Sequence, residues 1–473
     1  MTLKYTSTSL VNAYYQQITD AFERLGKPID QSDAEKLSCF LLKTMGSESR
    51  DYHRPEHPLD VSKRLLPIGQ LAALFHDIVY VQVDPTWGKS VSDILYPFIP
   101  TNTFSVNVKG ALNHVIDPWQ KIVVSIFGFD NETDLIPMKG ANEFLSALVF
   151  CQCMRPYLNP EELLRGISCI EATIPFRKVD GEGNSPADRL KARIKKVMQS
   201  PEGRYFSGQI DVELIISECR SLIENDLASF GSESPSDFIS NSWNVMIENN
   251  PPLRNTFFYI SDYRRAIFGT LGFYMSLDPI NLYWTNNKNN DKHHEQLINR
   301  TKSNLDFAAS YMKCIATAVC LSEAIAMKTG GDAPFELFFG PRKKSRTHDP
   351  VIIDNLVKLP ENINTGETLS TEDLEIYNIL RNGRELRSRF DHKTSALSAF
   401  IFYNTAKQIR DELFKVSQLF TLGKITADEL IAEVPISIVS ETISFFEKTA
   451  LSRSKLLADL RLKQTENRLK IAS

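Results

Sequence analysis

The sequence is poor in the features that place a chain quickly. Its best apolar run, Leu145 to Met154, falls far short of the ~20 residues a bilayer-spanning helix needs, so no membrane span is expected. The opening Met1-Thr2-Leu3-Lys4-Tyr5 lacks the charged-then-apolar layout of a secretory signal, and a cytoplasmic protein is expected. A formal net charge of −4 provides no global field to gather nucleic acid or an anionic membrane. The seven cysteines are an odd set without a disulfide pattern. Cys151-Gln152-Cys153 is too tight for a zinc clamp, and Cys39, Cys169, Cys219, Cys314 and Cys320 read as small core residues of apolar helices. Strand signals are scarce. Only Lys121 to Phe129, rich in β-branched residues, reads as a segment that pairs locally. Tandem repeats and sustained heptads are missing too.

What is present is a soluble-type composition, 42% apolar and 24% charged over 473 residues, with helical periodicity nearly throughout. The expected fold is therefore all-α. Helices are read over Ser9–Leu25, Asp33–Thr44, Leu59–Leu66, Gln70–Val81, Asn142–Cys153, Pro160–Ala172, Val212–Glu224 and Leu297–Lys328. Polar, glycine- and proline-bearing stretches punctuate them, among them 97–107, 178–186, 286–292, 342–349 and 358–370. The expected organisation has N-terminal helices (1–48) on a core domain (49–340), then a linker (341–370) and a helical C-terminal region (371–473). That last region is a candidate surface for a protein partner or a second copy.

Chemistry concentrates in the first half. Tyr52-His53-Arg54-Pro55-Glu56-His57-Pro58-Leu59-Asp60-Val61 spaces two histidines four apart. Proline is tolerated only in a helix's first turn, so a helix should begin near Pro55 or Pro58, with His57 at its entrance and His53 on the loop before it. The apolar run Leu71 to Phe75 then ends in His76-Asp77. Burying that pair without partners would cost several kcal/mol, whereas a cation turns both into ligands. Asp226, after an amphipathic helix, reads either as another ligand or as a cap of the next helix. Two imidazoles and two carboxylates are a borderline donor set suited to one Zn, Mn, Fe, Co or Mg ion.

In this order, His…His-Asp…Asp on helices, the chain resembles the HD-domain metal-dependent phosphohydrolases, over about residues 50 to 285. Residues 52–61 are similar to the Tyr-His-Asn-x-x-His-Ala-x-Asp-Val of cyclic-nucleotide phosphodiesterases. Phe75 to Tyr80 resembles the Phe-His-Asp-x-Val-Tyr of predicted bacterial HD phosphohydrolases, and Ile170-Glu171-Ala172-Thr173 the superfamily's Ile-x-Ala-Thr element. The resemblance implies an HD-type helical bundle in which His57, His76, Asp77 and Asp226 hold the metal, His53 protonates the leaving oxygen and Asp60 orients an imidazole. Two departures stand out. The histidine and glycine that follow the ligand pair in the phosphodiesterases are missing after Asp77, which leaves at most a weakly held second ion. Arg54 replaces an asparagine.

The implied substrate is a small phosphorylated molecule, a nucleotide or cyclic nucleotide, with Arg54, Arg177, Arg254, Arg264 and Tyr263 as candidate contacts. Arg177, Arg254 and Arg264 read first as salt-bridge partners or solvated charges, and the tyrosine as core. A second reading keeps the scaffold but not the catalysis: a nucleotide-sensing or protein-binding module with a structural metal.

Overall fold

The computed structural model describes residues 7–84, 86–95, 117–130, 139–206, 208, 210–255, 257–284, 292–341, 353–360, 369–384 and 395–472. The chain is all-α; among the described residues the only β pairing is an isolated bridge between Tyr259 and Pro334. It forms two compact units, Met1–Gly231 with Asp278–Asn299 and Ser232–Leu277 with Arg300–Ser473.

The units do not part at 341–370, much of which lies outside the described residues together with the loops read at 97–107, 286–291 and 342–349. A polar stretch interrupts a helix without dividing a core. Thr449 Oγ1 donates to Phe338 O at 2.6 Å, and Phe338 packs edge-on against Phe446, so segments on both sides of the expected linker share one core. The core instead parts near 231, 277 and 299.

The first unit contains α1 (Ser7–Arg24), α2 (Gln31–Met45), α3 (Glu56–Val61), α4 (Pro67–Phe75), α5 (Lys89–Leu95), α6 (Pro118–Phe127), α7 (Ala141–Met154), α8 (Pro160–Ala172), α9 (Pro186–Gln199) and α10 (Val212–Asp226). Their starts are written locally. Asp30, Asp117, Asn159, Ser185 and Asp211 each accept a first-turn amide, and proline occupies the first turn of α4, α6, α8 and α9. The expected strand at 121–129 is helix α6. Asp117 caps it, Pro118 opens it and Gly128 closes it at φ 70, so local punctuation overrides β-branched propensity.

Helix α8 is the hub, packed on α4, α7, α10 and α6. Gly166 makes its contact with α7 possible: a Cβ there would stand 2.2 Å from Phe150 Cζ. Helix α4 is buried from Ile68 to Phe75, and α7 over nearly its whole circumference. With α4 fixed by packing, the polar residues that follow it have one defined place.

The second unit contains helices Pro235–Glu248 and Ile260–Ser276, most of the long helix Lys292–Lys328, and the helices from Phe335 to Ala472. Lys292–Lys328 is long and apolar enough by composition to cross a bilayer, contrary to the expectation of no such segment, but 72% of its apolar window is buried in the protein. All seven cysteines are free; Cys39 is exposed rather than in a core.

Candidate metal centre

Four segments of the first unit bring the functional side chains together. Arg50, fully buried, ties two of them. Its guanidinium forks onto Asp84 (2.8 and 2.6 Å) and donates to the carbonyls of His53, Asp77 and Ile78. Segments 50–53 and 77–84 are thereby held at fixed spacing. Tyr14 donates to Pro55 O at 2.8 Å and sets the entry of α3, whose first turn carries His57. Asn225 at the end of α10 donates to the carbonyls of Val61 and Lys63, both at 2.8 Å. That bond pair docks α10 on the end of α3 and delivers the next residue, Asp226, to His57. From α7, Ser146 Oγ and Asn142 Oδ1 accept the amides of Val79 and Val81 just beyond Asp77.

One donor atom from each of His57, His76, Asp77 and Asp226 lies within 4.8 Å of the other three. His57 Nε2 is 3.2 Å from Asp226 Oδ1 and 3.4 Å from Asp77 Oδ2; His76 Nε2 is 3.3 and 3.0 Å from the same atoms. Four ligands at ~2.1 Å from a tetrahedral cation stand about 3.4 Å apart, so the spacing matches the donor cage of such an ion. The tautomer fits as well. His76 Nδ1 lies 2.7 Å from Ala73 O, an atom that can only accept, so Nδ1 carries the hydrogen and Nε2 presents its lone pair. The residues present therefore suit a divalent cation.

The electrostatics say the same. Burial opposes charge on His57, yet hydrogen bonds and charges from Asp226 and Asp77 outweigh it and raise the imidazole to about 9. His76 is raised well above its ordinary value against the same burial penalty. Burial would raise Asp226, but His76 and His57 hold it at about 2, and Asp77 is held well below the usual carboxylate range by His76 and His53. The cage favours positive charge, as protons on both rings or as one dication.

His53 stands beside the cage, outside the four donors. Its Nε2 is 3.8 Å from Asp77 Oδ2, and its ring packs edge-on against Tyr52 and Tyr80. Arg177 lines a cleft that also includes Asp226, while its guanidinium bonds buried Glu171. Asp60 departs from its expected role. Asp60 is 49% exposed and bonds Lys63 Nζ at 2.5 Å; α3 turns Pro58, Leu59 and Val61 inward, which points Asp60 to solvent, away from any imidazole. Arg54 is exposed and paired with Asp51. Arg254, Tyr263 and Arg264 belong to the second unit. There Tyr263 is core, accepting from Trp243 Nε1, and Arg264 forks onto Glu323. Asp226 is no cap: it ends α10 and makes no capping bond to the turn that follows.

Arg50, Asp84, Asn225 and Glu143 escaped the sequence reading. Glu143, on α7, is buried, and its Oε2 has no hydrogen-bond partner. Burial, with the charges of Asp77 and Asp226, pushes its carboxyl up to about 8 against the pull of its own backbone amide and of Arg177. A lone acid inside Ala141-Asn-Glu-Phe-Leu-Ser-Ala-Leu is the kind of signal that marked His76-Asp77. Arg50 and Asn225 sit beside flagged residues but carry no spacing that distinguishes them. Compared with protein-family models, curated proteins and solved structures, the chain gives no match.

Proposed function

We propose that this chain is a metal-dependent phosphohydrolase of the HD type, cleaving a phosphoester of a nucleotide or cyclic nucleotide. The observation that carries the reading is the convergence of His57, His76, Asp77 and Asp226, from three separate segments, at the spacing of one cation's ligand shell. A divalent cation held there would supply Lewis acidity, lowering the pKa of water toward about 7 and neutralising phosphoryl charge.

The protein's own groups do the rest. His76 is held in its ligating tautomer by Ala73 O, and Arg50 keeps the His53 and Asp77 backbones at fixed spacing. His53, next to the cage, carries the proton that the departing oxygen needs as the P–O bond breaks. Water's oxygen goes to phosphorus and its proton to the surroundings. Such a general acid contributes ~10²–10⁴-fold.

The test is the metal content of the purified chain, followed by a nucleotide panel and a generic aryl phosphodiester in that metal. One divalent ion per chain with turnover, both lost in Asp77→Ala while the far-UV circular dichroism and unfolding midpoint persist, supports the reading. Absence of turnover in Zn, Mn, Fe, Co and Mg overturns it.

A further inference from the structure

Hydrolysis of a phosphoester moves two protons. His53 gives one to the leaving oxygen, and the attacking water sheds the other. His53 cannot accept the second while it still holds the first. The lone pairs of His57, His76, Asp77 and Asp226 converge on the cage. An acceptor supplied by the protein is therefore a fifth group near them, with an oxygen or nitrogen that the fold leaves unused.

Glu143 has such an oxygen. It lies in the first turn of α7 and is only 9% exposed. Its Oε2 is enclosed and has no hydrogen-bond partner. An acid in that condition weakens the fold, and it calls for a purpose outside the fold. The backbone puts it beside the cage. One residue earlier, Asn142 Oδ1 accepts the Val81 amide at 2.9 Å; three residues later, Ser146 Oγ accepts the Val79 amide at 3.1 Å. Residues three apart share a helix face, so Glu143 and Ser146 both face the segment that follows Asp77. On the other side, Gly140 closes on Ile174, where a Cβ would stand 2.6 Å from Ile174 Cδ1. Ile174 lines the cleft that includes Asp226. Glu143, three residues on from Gly140, is thus held between the Asp77 segment and the wall that carries Asp226.

The surrounding charges fit this placement. Burial and the carboxylates of Asp77 and Asp226 push the Glu143 carboxyl up to about 8, against the pull of its own backbone amide and of Arg177. A general base works best when its proton affinity lies near the working pH.

We infer that Glu143 is a catalytic base, holding the attacking water and taking its proton. The inference rests on the phosphohydrolase reading. An O–H bond of water breaks and the proton passes to Glu143 Oε2, while the water oxygen forms its bond to phosphorus. The ester P–O bond breaks, and the departing oxygen takes the proton of His53. Glu143 then releases a proton to solvent and His53 regains one.

The experiment uses the full chain. Infrared spectra of chelator-treated protein, taken from acid to alkaline pH, should show a carboxylic C=O stretch that titrates in wild type and is missing in Glu143→Gln. Absence of that band in wild type overturns the proposal. In the metal that supports turnover, Glu143→Gln should keep the wild-type metal stoichiometry while kcat falls ~10²–10⁴-fold, and the wild-type decline of kcat toward acid pH should disappear. Glu143→Asp, still an acid but one methylene shorter, should recover part of the rate and the pH limb. A glutamine variant within about threefold of wild-type kcat overturns the proposal and leaves the phosphohydrolase reading standing. Loss of metal together with rate overturns it as well, because Glu143 is then a ligand or a support of the cage. Wild type without turnover in any of the five metals overturns both.

Discussion

Arg264 in the second unit and His57 in the first are both faced by carboxylate oxygen, but the two environments differ in what completes them. Arg264 offers Nε and Nη2 to the two oxygens of Glu323 at 2.6 and 3.1 Å, and donors and acceptors match. Arg410 is closed likewise by Asp373 and the carbonyls of Phe402 and Thr405. Around His57 the balance fails. With His76 Nδ1 committed to Ala73 O, the Nε2 lone pair of a neutral His76 faces two carboxylates, and added positive charge, as protons or as a cation, would satisfy them. A buried ion pair that its own residues complete marks structure. The four donors around His57 could instead hold a metal ion.

The sharpest way to break that comparison is Arg50→Met. Arg50 and Asp84 are 0% and 1% exposed, so the substitution strands a buried carboxylate and should cost about 3–5 kcal/mol in urea unfolding. It should also weaken cation binding, because the His53 and Asp77 carbonyls lose their common donor. A loss below about 1 kcal/mol with unchanged metal affinity would remove Arg50 from the account. His53→Ala separates cage from chemistry: the metal content should stay at wild-type stoichiometry while kcat falls ~10²–10⁴-fold. Loss of metal together with rate would make His53 a ligand instead.

The same comparison explains what was legible in the sequence. His76 and Asp77 were readable because they interrupt an apolar run, whereas the choice of His57 and Asp226 as partners came from the resemblance to the HD-domain phosphohydrolases; the helix expected over 70–81 stops at Phe75, so His76 and Asp77 lie in the turn after it. The all-α class followed from caps and periodicity, except at 121–129, where β-branched residues outweighed Asp117, Pro118 and Gly128 in the reading. Arg50 and Asn225 were illegible because their roles consist of bonds to main-chain carbonyls, and a carbonyl has no residue type. The unit boundaries were illegible for a related reason. Loops show in composition, but whether helices on either side share a core depends on contacts such as Thr449 with Phe338.

Glu143→Gln probes the cage's charge from a residue that is not one of its donors. The folded carboxyl is raised to about 8. Its contribution to stability is fully present below the unfolded value of ~4.3 and is lost as pH rises through about 8. Glutamine does not titrate, so the melting point of the variant should gain on wild type as pH climbs from 5 to 8, by at most about 1.4 kcal/mol per pH unit, and level off above. The measurement is made on chelator-treated protein by thermal scans across that range. A difference that stays flat with pH would mean that Glu143 is ionised in the fold.

Asp60→Asn should do almost nothing, and that is its value. The resemblance to phosphodiesterases assigns this residue to an imidazole; the fold turns it outward to Lys63. An exposed ion pair across the end of a helix contributes about 0.2–1 kcal/mol, and its loss should leave metal stoichiometry intact and kcat within about twofold. A fall in kcat or metal affinity beyond about tenfold would return Asp60 to the cage. It would also mean that α3 turns about its axis when the cation binds, since in the present arrangement Pro58, Leu59 and Val61 hold the inward face. The smallest expected effect thus tests whether the geometry around His57 is already the geometry of the loaded centre.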